Sequence, residues 1–244
     1  MKRLFVVGLG PGDGAYMTRQ ALTALEQAEL LVGYTKYVAL VRPLFPDKPV
    51  VATGMTQELE RCRLALEQAG RGKTVALVCS GDAGVYGMAG PVLELCEAYP
   101  GVEVEVVSGV TAALSGAAVL GAPLMHDFAV VSLSDLLTPW ETIERRLRAA
   151  AAADFCLCLY NPSSKKRSDY LQRACRILLE FRTANTVCGW VKNIGRDGQE
   201  SRVLTLDRLR DEAVDMFTTV FVGNGETREI AGRMVTPRGY GNKT

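Results

Sequence analysis

Several stretches of this sequence carry residue types that could bind or transform a ligand. Gly8-Leu9-Gly10-Pro11-Gly12 directly follows the apolar run Leu4–Val7. Glycine there permits positive φ or a close approach of backbone to a ligand. The stretch is not a dinucleotide fingerprint. The G-x-G-x-x-G spacing needs glycine where Asp13 stands, and Pro11 removes an N–H that could have held pyrophosphate. A structural turn and a turn lining another kind of pocket both fit. Ser80-Gly81-Asp82-Ala83-Gly84-Val85-Tyr86-Gly87-Met88-Ala89-Gly90 places four glycines in eleven residues after a second apolar run. Its Asp82 can accept hydrogen bonds from hydroxyl or amine groups, or cap a helix. No P-loop lysine follows, which disfavours a nucleotide triphosphate. Ser108-Gly109-Val110-Thr111-Ala112-Ala113 is a third turn of this kind.

The chain's single histidine, His126, stands beside Asp127. It offers general-base chemistry or a structural hydrogen bond, and one histidine cannot build a His-rich metal site, so no metal is expected. The polar, cationic stretch Asn161-Pro162-Ser163-Ser164-Lys165-Lys166-Arg167 reads as a solvated loop or as the lip of an anion site.

The elements that must position these residues follow from hydropathy. Short apolar runs at 4–7, 30–32, 50–52, 75–79 and 104–107, then at 129–133, 155–159, 187–191 and 219–222, alternate with helical periodicity. This predicts an α/β fold with mostly parallel strands. Met17, Ala21, Leu25 and Ala28 share a helix face, with Thr18 placed to cap it. Thr138-Pro139-Trp140-Glu141 has capping-box spacing with proline at the first helical position, so a helix should start there and turn Ile143, Leu147 and Ala151 inward. Arg145, Arg146 and Arg148 would then face solvent or a ligand. The break at 121–128 sets the expected domains at 1–122 and 123–244.

At 244 residues with 48% hydrophobic and 23% charged side chains, the chain can bury a sizeable core. A net charge of +1 gives no general attraction to polyanions, so nucleic acid is not an expected partner. The seven cysteines lie scattered in apolar runs without a CxxC pair and read as buried, reduced thiols. No apolar run reaches the roughly 20 residues of a membrane span. The expectation is a cytoplasmic protein with no membrane partner.

Taken together and in order, these motifs resemble the tetrapyrrole methylases, the two-domain methyltransferases of the cobalamin and siroheme pathways, over nearly the whole chain. The first glycine turn is common to the family. Ser80 to Met88, Gly121-Ala122-Pro123-Leu124-Met125-His126-Asp127-Phe128, Ser132 to Trp140, Tyr160-Asn161-Pro162 and Thr236-Pro237-Arg238-Gly239-Tyr240 are similar to the branch that methylates carbon 17 of precorrin-3B. The resemblance implies two α/β domains with mostly parallel or mixed sheets, and a cleft between them holding S-adenosylmethionine in a folded form. The positions matching the family's cofactor contacts are Pro11, Ser80, Gly81, Asp82, Val85, Tyr86, Thr111 and Ala112, then Tyr160, Asn161, Val191, Lys192 and Thr218. It further implies a homodimer and C-methylation of precorrin-3B or cobalt-precorrin-3 with ring contraction, in which a hydroxyl at carbon 20 loses its proton. His126, Asp127 and Asp135 are the candidate bases for that proton. Lys165, Lys166, Arg167 and Arg196 are the candidate grips for the substrate's acidic arms. No cysteine-rich tail suggests an iron–sulfur cluster. Other readings stay open: a family member aimed at carbon 20 or carbon 11, a Rossmann-type methyltransferase, or a non-catalytic tetrapyrrole carrier.

Overall fold

The computed structural model describes residues 2–164 and 167–240. The chain divides into two compact units, Met1–Ala112 and Ala113–Thr244.

The first unit is built from β1 (Arg3–Gly8), α1 (Arg19–Gln27), β2 (Leu30–Tyr34), α2 (Thr35–Val41), β3 (Val50–Thr53), α3 (Glu58–Gly70), β4 (Thr74–Cys79), α4 (Ala89–Leu95) and β5 (Glu103–Val107). Its sheet runs β3-β2-β4-β1-β5, and every pairing is parallel. Alternation within each strand feeds two cores. Leu4, Val6, Val32 and Leu77 pack with Cys62, Leu66 and Val92 from α3 and α4. Phe5, Val7, Leu31 and Val78 pack with Ala21, Leu25, Val38 and Val41 from α1 and α2. Both faces of a parallel sheet are thus covered, which is why its strands read as continuous apolar runs. The Thr18 hydroxyl caps α1 as expected, accepting the Ala21 N–H at 3.0 Å.

The second unit opens with α5 (Ala112–Leu120) and β6 (Gly121–Ala122). It continues through β7 (Phe128–Ser132), α6 (Trp140–Ala152), β8 (Cys156–Tyr160), α7 (Tyr170–Leu178), β9 (Val187–Lys192), β10 (Glu200–Thr205), α8 (Leu206–Leu209), β11 (Thr218–Val222), β12 (Arg228–Ile230) and β13 (Arg233–Val235). Here the sheet is mixed, the second of the two kinds the resemblance implied, and the apolar runs alone did not reveal its antiparallel pairings. The sheet β10-β9-β11-β8-β7 is antiparallel except between β7 and β8. β10 is an edge strand with exposed Glu200, Ser201 and Arg202, too polar to register as an apolar run. A small sheet, β12-β13-β6, ties the tail to the start of this unit.

Ile143, Leu147 and Ala151 face the core of the second unit as the spacing predicts, alongside Leu157, Leu171, Ala174 and Val220. The capping box does not form. Pro139 itself is the N-cap of α6, in an extended conformation, and no side chain caps the helix. Arg148 does not stand free either, since it pairs with Glu144 and Glu180. Six of the seven cysteines are buried, and all seven are free thiols. Burial pushes Cys62 up to about 11 and Cys79 up to about 12. Among the described residues no helix is long and apolar enough to cross a membrane, and no cluster of residues could hold a metal ion.

Candidate active site

The three glycine-bearing turns follow β4, β1 and β5, which are neighbours in the first sheet, so parallel register delivers all three to one edge. There the backbones touch. Gly10 donates its N–H to the Gly81 carbonyl at 3.0 Å and accepts from the Gly81 N–H at 2.8 Å. Both residues take left-handed φ, +76° and +69°. A Cβ on Gly109 would collide with the Gly81 carbonyl oxygen and with the backbone of Gly8. The Leu9 and Gly10 N–H groups are committed to Cys79 and Gly81 and Pro11 has none, so these three positions offer no amide to a pyrophosphate.

Asp82 braces this assembly. One carboxylate oxygen accepts the Gly84 N–H at 2.8 Å and the other accepts the Gly109 N–H at 2.9 Å, tying the turn after β4 to the turn after β5. A carboxylate offers about four acceptor positions, so two are left for a ligand. Beside Gly81, a Cβ would meet nothing nearer than the Thr111 Cα at 3.8 Å and the Ala112 nitrogen at 3.9 Å. A methyl group there would make only ordinary van der Waals contact, so it is the left-handed φ of Gly81 that asks for glycine. Pro11, Ser80, Gly81, Asp82, Thr111 and Ala112 therefore belong to adjoining turns, while Val85 and the exposed Tyr86, at φ +54°, lie further along the loop after β4.

In the second unit the candidate residues gather at one end of the sheet through strand register. Ser132 pairs with Tyr160, and Thr218 pairs with Lys192. The Tyr160 hydroxyl accepts the Ala113 N–H at 2.7 Å, in the first turn of α5. Asn161 adopts φ +53° and donates to the Ser132 hydroxyl at 3.0 Å. Lys192 lies 3.0 Å from Asp215, which also accepts from the Thr218 hydroxyl and the Phe217 N–H. Burial pushes the Asp215 carboxyl up, but these donors outweigh it and hold it below the usual range, while Asp215 in turn raises Lys192. The Val191 side chain is fully buried, so only its backbone can reach a ligand. Arg196 follows in the half-buried turn after β9.

His126 and Asp127 lie in the turn between β6 and β7. The His126 ring is half-buried and has no hydrogen-bond partner among the described residues, Asp127 included. The Asp127 carbonyl accepts from the Cys156 N–H at 3.1 Å, while its carboxylate is exposed. Asp135 is differently placed. Its two oxygens accept from Arg167 Nε and from the Tyr170 hydroxyl. Those bonds, Tyr170 first, hold its carboxyl below the usual range and raise the Tyr170 phenol. A carboxylate so engaged is a weak base. Lys165 and Lys166 lie outside the described residues.

A model of the Tetrapyrrole (Corrin/Porphyrin) Methylases matches residues 3–210. The chain belongs to the tetrapyrrole methylase family. This methylase is 50% identical over 238 residues to a Salmonella typhimurium protein named "Probable cobalt-factor III C(17)-methyltransferase", covering 97% of this chain and 99% of that one. Among solved structures, the methyltransferase CobJ aligns at TM-score 0.91 and 39% identity, with 96% of this chain and 99% of that chain covered. Uroporphyrin-III C-methyl transferase from Thermus thermophilus, complexed with S-adenyl homocysteine, aligns at TM-score 0.69 and 26% identity over 91% of this chain and 92% of that one.

Two side chains of the methylase escaped the sequence reading. Asp215 organises Lys192 and Thr218 from a loop with no motif of its own. Arg61 sits in α3, a segment in which the sequence predicts no site residue, and it is buried. Its only sequence signal is position: it falls one residue before Cys62 and four before Ala65, on the apolar side of α3.

Proposed function

We propose that this methylase transfers the methyl group of S-adenosylmethionine to carbon 17 of cobalt-factor III, or of a closely related precorrin-3 macrocycle, with contraction of the ring, as a step in cobalamin synthesis. The observation that carries this reading is the end-to-end identity of 50% to a protein named for that reaction. The same name favours the cobalt-bearing substrate.

The donor fits the first unit on the unit's own chemistry. S-adenosylmethionine brings an amine, ribose hydroxyls and a methyl already activated by its sulfonium. Asp82 keeps acceptor positions for the hydroxyls or amine, and Gly81, with no side chain of its own, leaves the adjoining backbone bare toward a ligand. Tyr160, Asn161, the Val191 backbone, Lys192 and Thr218 are the contacts proposed from the second unit. Because the methyl arrives activated, the protein's main work is to hold donor and acceptor carbon in line.

Ring contraction asks more of the protein, since a base must take the proton of the carbon-20 hydroxyl. His126 is the residue proposed for it, its imidazole being half-buried and uncommitted within the described protein. Asp127 is the second candidate. Asp135 is assigned to holding Arg167 and Tyr170. Arg167, Arg196, Lys165 and Lys166 are proposed to receive acidic arms of the substrate, for which arginine forms two parallel hydrogen bonds.

Mass spectrometry of products formed from precorrin-3 substrates with and without cobalt tests the reading. Methylated, ring-contracted product from the cobalt form is expected. Turnover of the metal-free form alone would reassign the substrate, and methylation at another carbon would move the protein to a different branch. A homodimer is part of the same proposal, supported by the exposed Leu136 and Leu137, the latter 94% exposed. Trp140, three residues beyond Leu137, does not join them and packs against Tyr170 and under Arg173. A monomeric mass in light scattering at micromolar concentration would overturn the dimer.

A further inference from the structure

Arg61 is the fourth residue of α3 and is only 3% exposed. A buried guanidinium ordinarily has a carboxylate beside it, because removing an ion from water without a counter-charge is costly. This one does not, among the described residues. Its Nε donates to the Thr53 hydroxyl at 2.7 Å and Nη2 donates to the Gly54 carbonyl at 2.8 Å. Nη1 reaches only the Met88 thioether, at 3.8 Å, and the Tyr34 ring centroid lies 5.8 Å from the guanidinium carbon. Neutral acceptors and a ring face soften the charge without cancelling it. Glu58 and Glu60 stand in the first turn of α3, and neither forms an ion pair with Arg61.

The partners fix where this cation stands. Tyr34 ends β2, Thr53 ends β3, and Met88 ends the loop after β4, and these strands are neighbours in the sheet. Arg61 therefore lies at the carboxyl edge of the parallel sheet, the edge that carries the glycine turns and at which open α/β sheets take ligands. Gly54, which accepts from Nη2, is itself exposed, so a single residue separates the guanidinium from solvent. Of five N–H donors, three are used, one of them on a poor acceptor.

We infer that Arg61 is an anion-recognition residue of this methylase, and that its missing counter-charge is a carboxylate arm of the tetrapyrrole substrate. The inference rests on the proposed substrate class. It adds to the candidate grips of the second unit one that belongs to the first, next to the loop that carries Asp82.

Fluorescence titration with uroporphyrin III, a metal-free porphyrin bearing eight carboxylates, tests it on the intact protein. Arg61→Gln is expected to weaken porphyrin binding tenfold or more while S-adenosylhomocysteine affinity stays within twofold of wild type. Arg61→Lys, which keeps a cation but not the fork, should fall between. Porphyrin affinity within twofold of wild type in Arg61→Gln would overturn the inference, as would equal losses for porphyrin and S-adenosylhomocysteine, which mark a residue that only supports the fold. If Arg61→Gln does not fold, Arg61→Lys decides: several-fold weaker porphyrin binding supports the inference and wild-type binding overturns it. A wild-type protein that binds S-adenosylhomocysteine but no porphyrin would defeat the substrate class, and this inference with it. Wild-type binding of both, with Arg61→Gln unchanged, defeats the inference alone.

Discussion

In the first unit the backbone does the positioning. Gly10 and Gly81 exchange two hydrogen bonds, Gly109 stands against both Gly8 and Gly81, and the Asp82 side chain binds backbone amides on both of its oxygens. In the second unit side chains do it. Tyr160 caps α5, Asn161 holds Ser132, Asp215 gathers Lys192 and Thr218, and Asp135 clamps Arg167 and Tyr170. An all-parallel sheet brings three successive turns to one edge within backbone reach. A mixed sheet brings strand starts and strand ends together at each edge, and the wider gaps are spanned by side chains. The first arrangement suits a fixed cradle; the second can place groups that titrate or exchange partners.

If this division is real, the largest effect on chemistry belongs to the second unit. His126→Ala should slow formation of ring-contracted product by about 10²- to 10⁴-fold, the usual cost of a lost general base, and leave S-adenosylhomocysteine binding intact. Contracted product at near-normal yield, with the folded fraction checked by thermal melting, would end the base assignment and blur the comparison. The largest effect on folding belongs to the first. Gly109→Ala forces a Cβ into the Gly81 carbonyl, and should cost about 3 kcal/mol or prevent folding, at the top of the range for overpacking. By contrast Gly90→Ala, in α4 with nothing within 4 Å of the new Cβ, should be neutral or stabilise by roughly 0.5–1 kcal/mol. Denaturant midpoints measure both, and equal outcomes would refute the account of the cradle.

Asp82→Ala comes next. It strips the Gly84 and Gly109 amides of their acceptor and removes a proposed ligand contact, so S-adenosylhomocysteine affinity should drop by about 1–3 kcal/mol in calorimetry. Unchanged affinity in a folded variant would take Asp82 out of the site. The smallest effect is the pH signature of the second unit. Because Tyr170 and Arg167 hold the Asp135 carboxyl low, its contribution to stability is fully present above the ordinary aspartate range, near pH 4, and is lost as pH falls through the lowered value. The melting temperatures of wild type and Asp135→Asn should therefore differ by a constant gap from pH 6 down to about pH 4 and converge only as pH falls further, through the lowered value. A gap that persists unchanged well below pH 4 would mean that the clamp contributes nothing through its charge.

Sequence alone was most informative about the first unit, for the same physical reason. Strands buried on both faces announce themselves as apolar runs, and glycines that approach each other must appear as glycines, so β1 to β5 and the three turns could be read directly. The second unit hid more. β10 is half polar because it is an edge, and β12 and β13 are only three residues each. Thr138 looked like a cap because its spacing to Glu141 was right, but the extended Pro139 displaced it. Nothing local in the Leu-Leu-Thr-Pro-Trp run says that Trp140 is covered, because the ring that covers it, Tyr170, lies thirty residues on. Asp135 read as a possible base because nothing local reveals that its partners are Arg167 and Tyr170. The motif order was enough for the family, whereas the division of labour among charged side chains depends on contacts between residues far apart in the chain.

The buried cysteines give each unit its own clock. Cys62 and Cys79 sit in the first unit, and Cys156, Cys158, Cys175 and Cys188 in the second, each shut away from solvent. Burial holds Cys62 and Cys79 at about 11 and 12, and pushes Cys158, Cys175 and Cys188 upward as well, so almost none of these five thiols ionise near neutrality while the fold is closed. An alkylating reagent can mark them only during an opening. Peptide mapping after timed exposure would thus record how often each unit breathes, separately and without any engineered label, and would reveal whether a bound methyl donor quiets the first pair, the second four, or both.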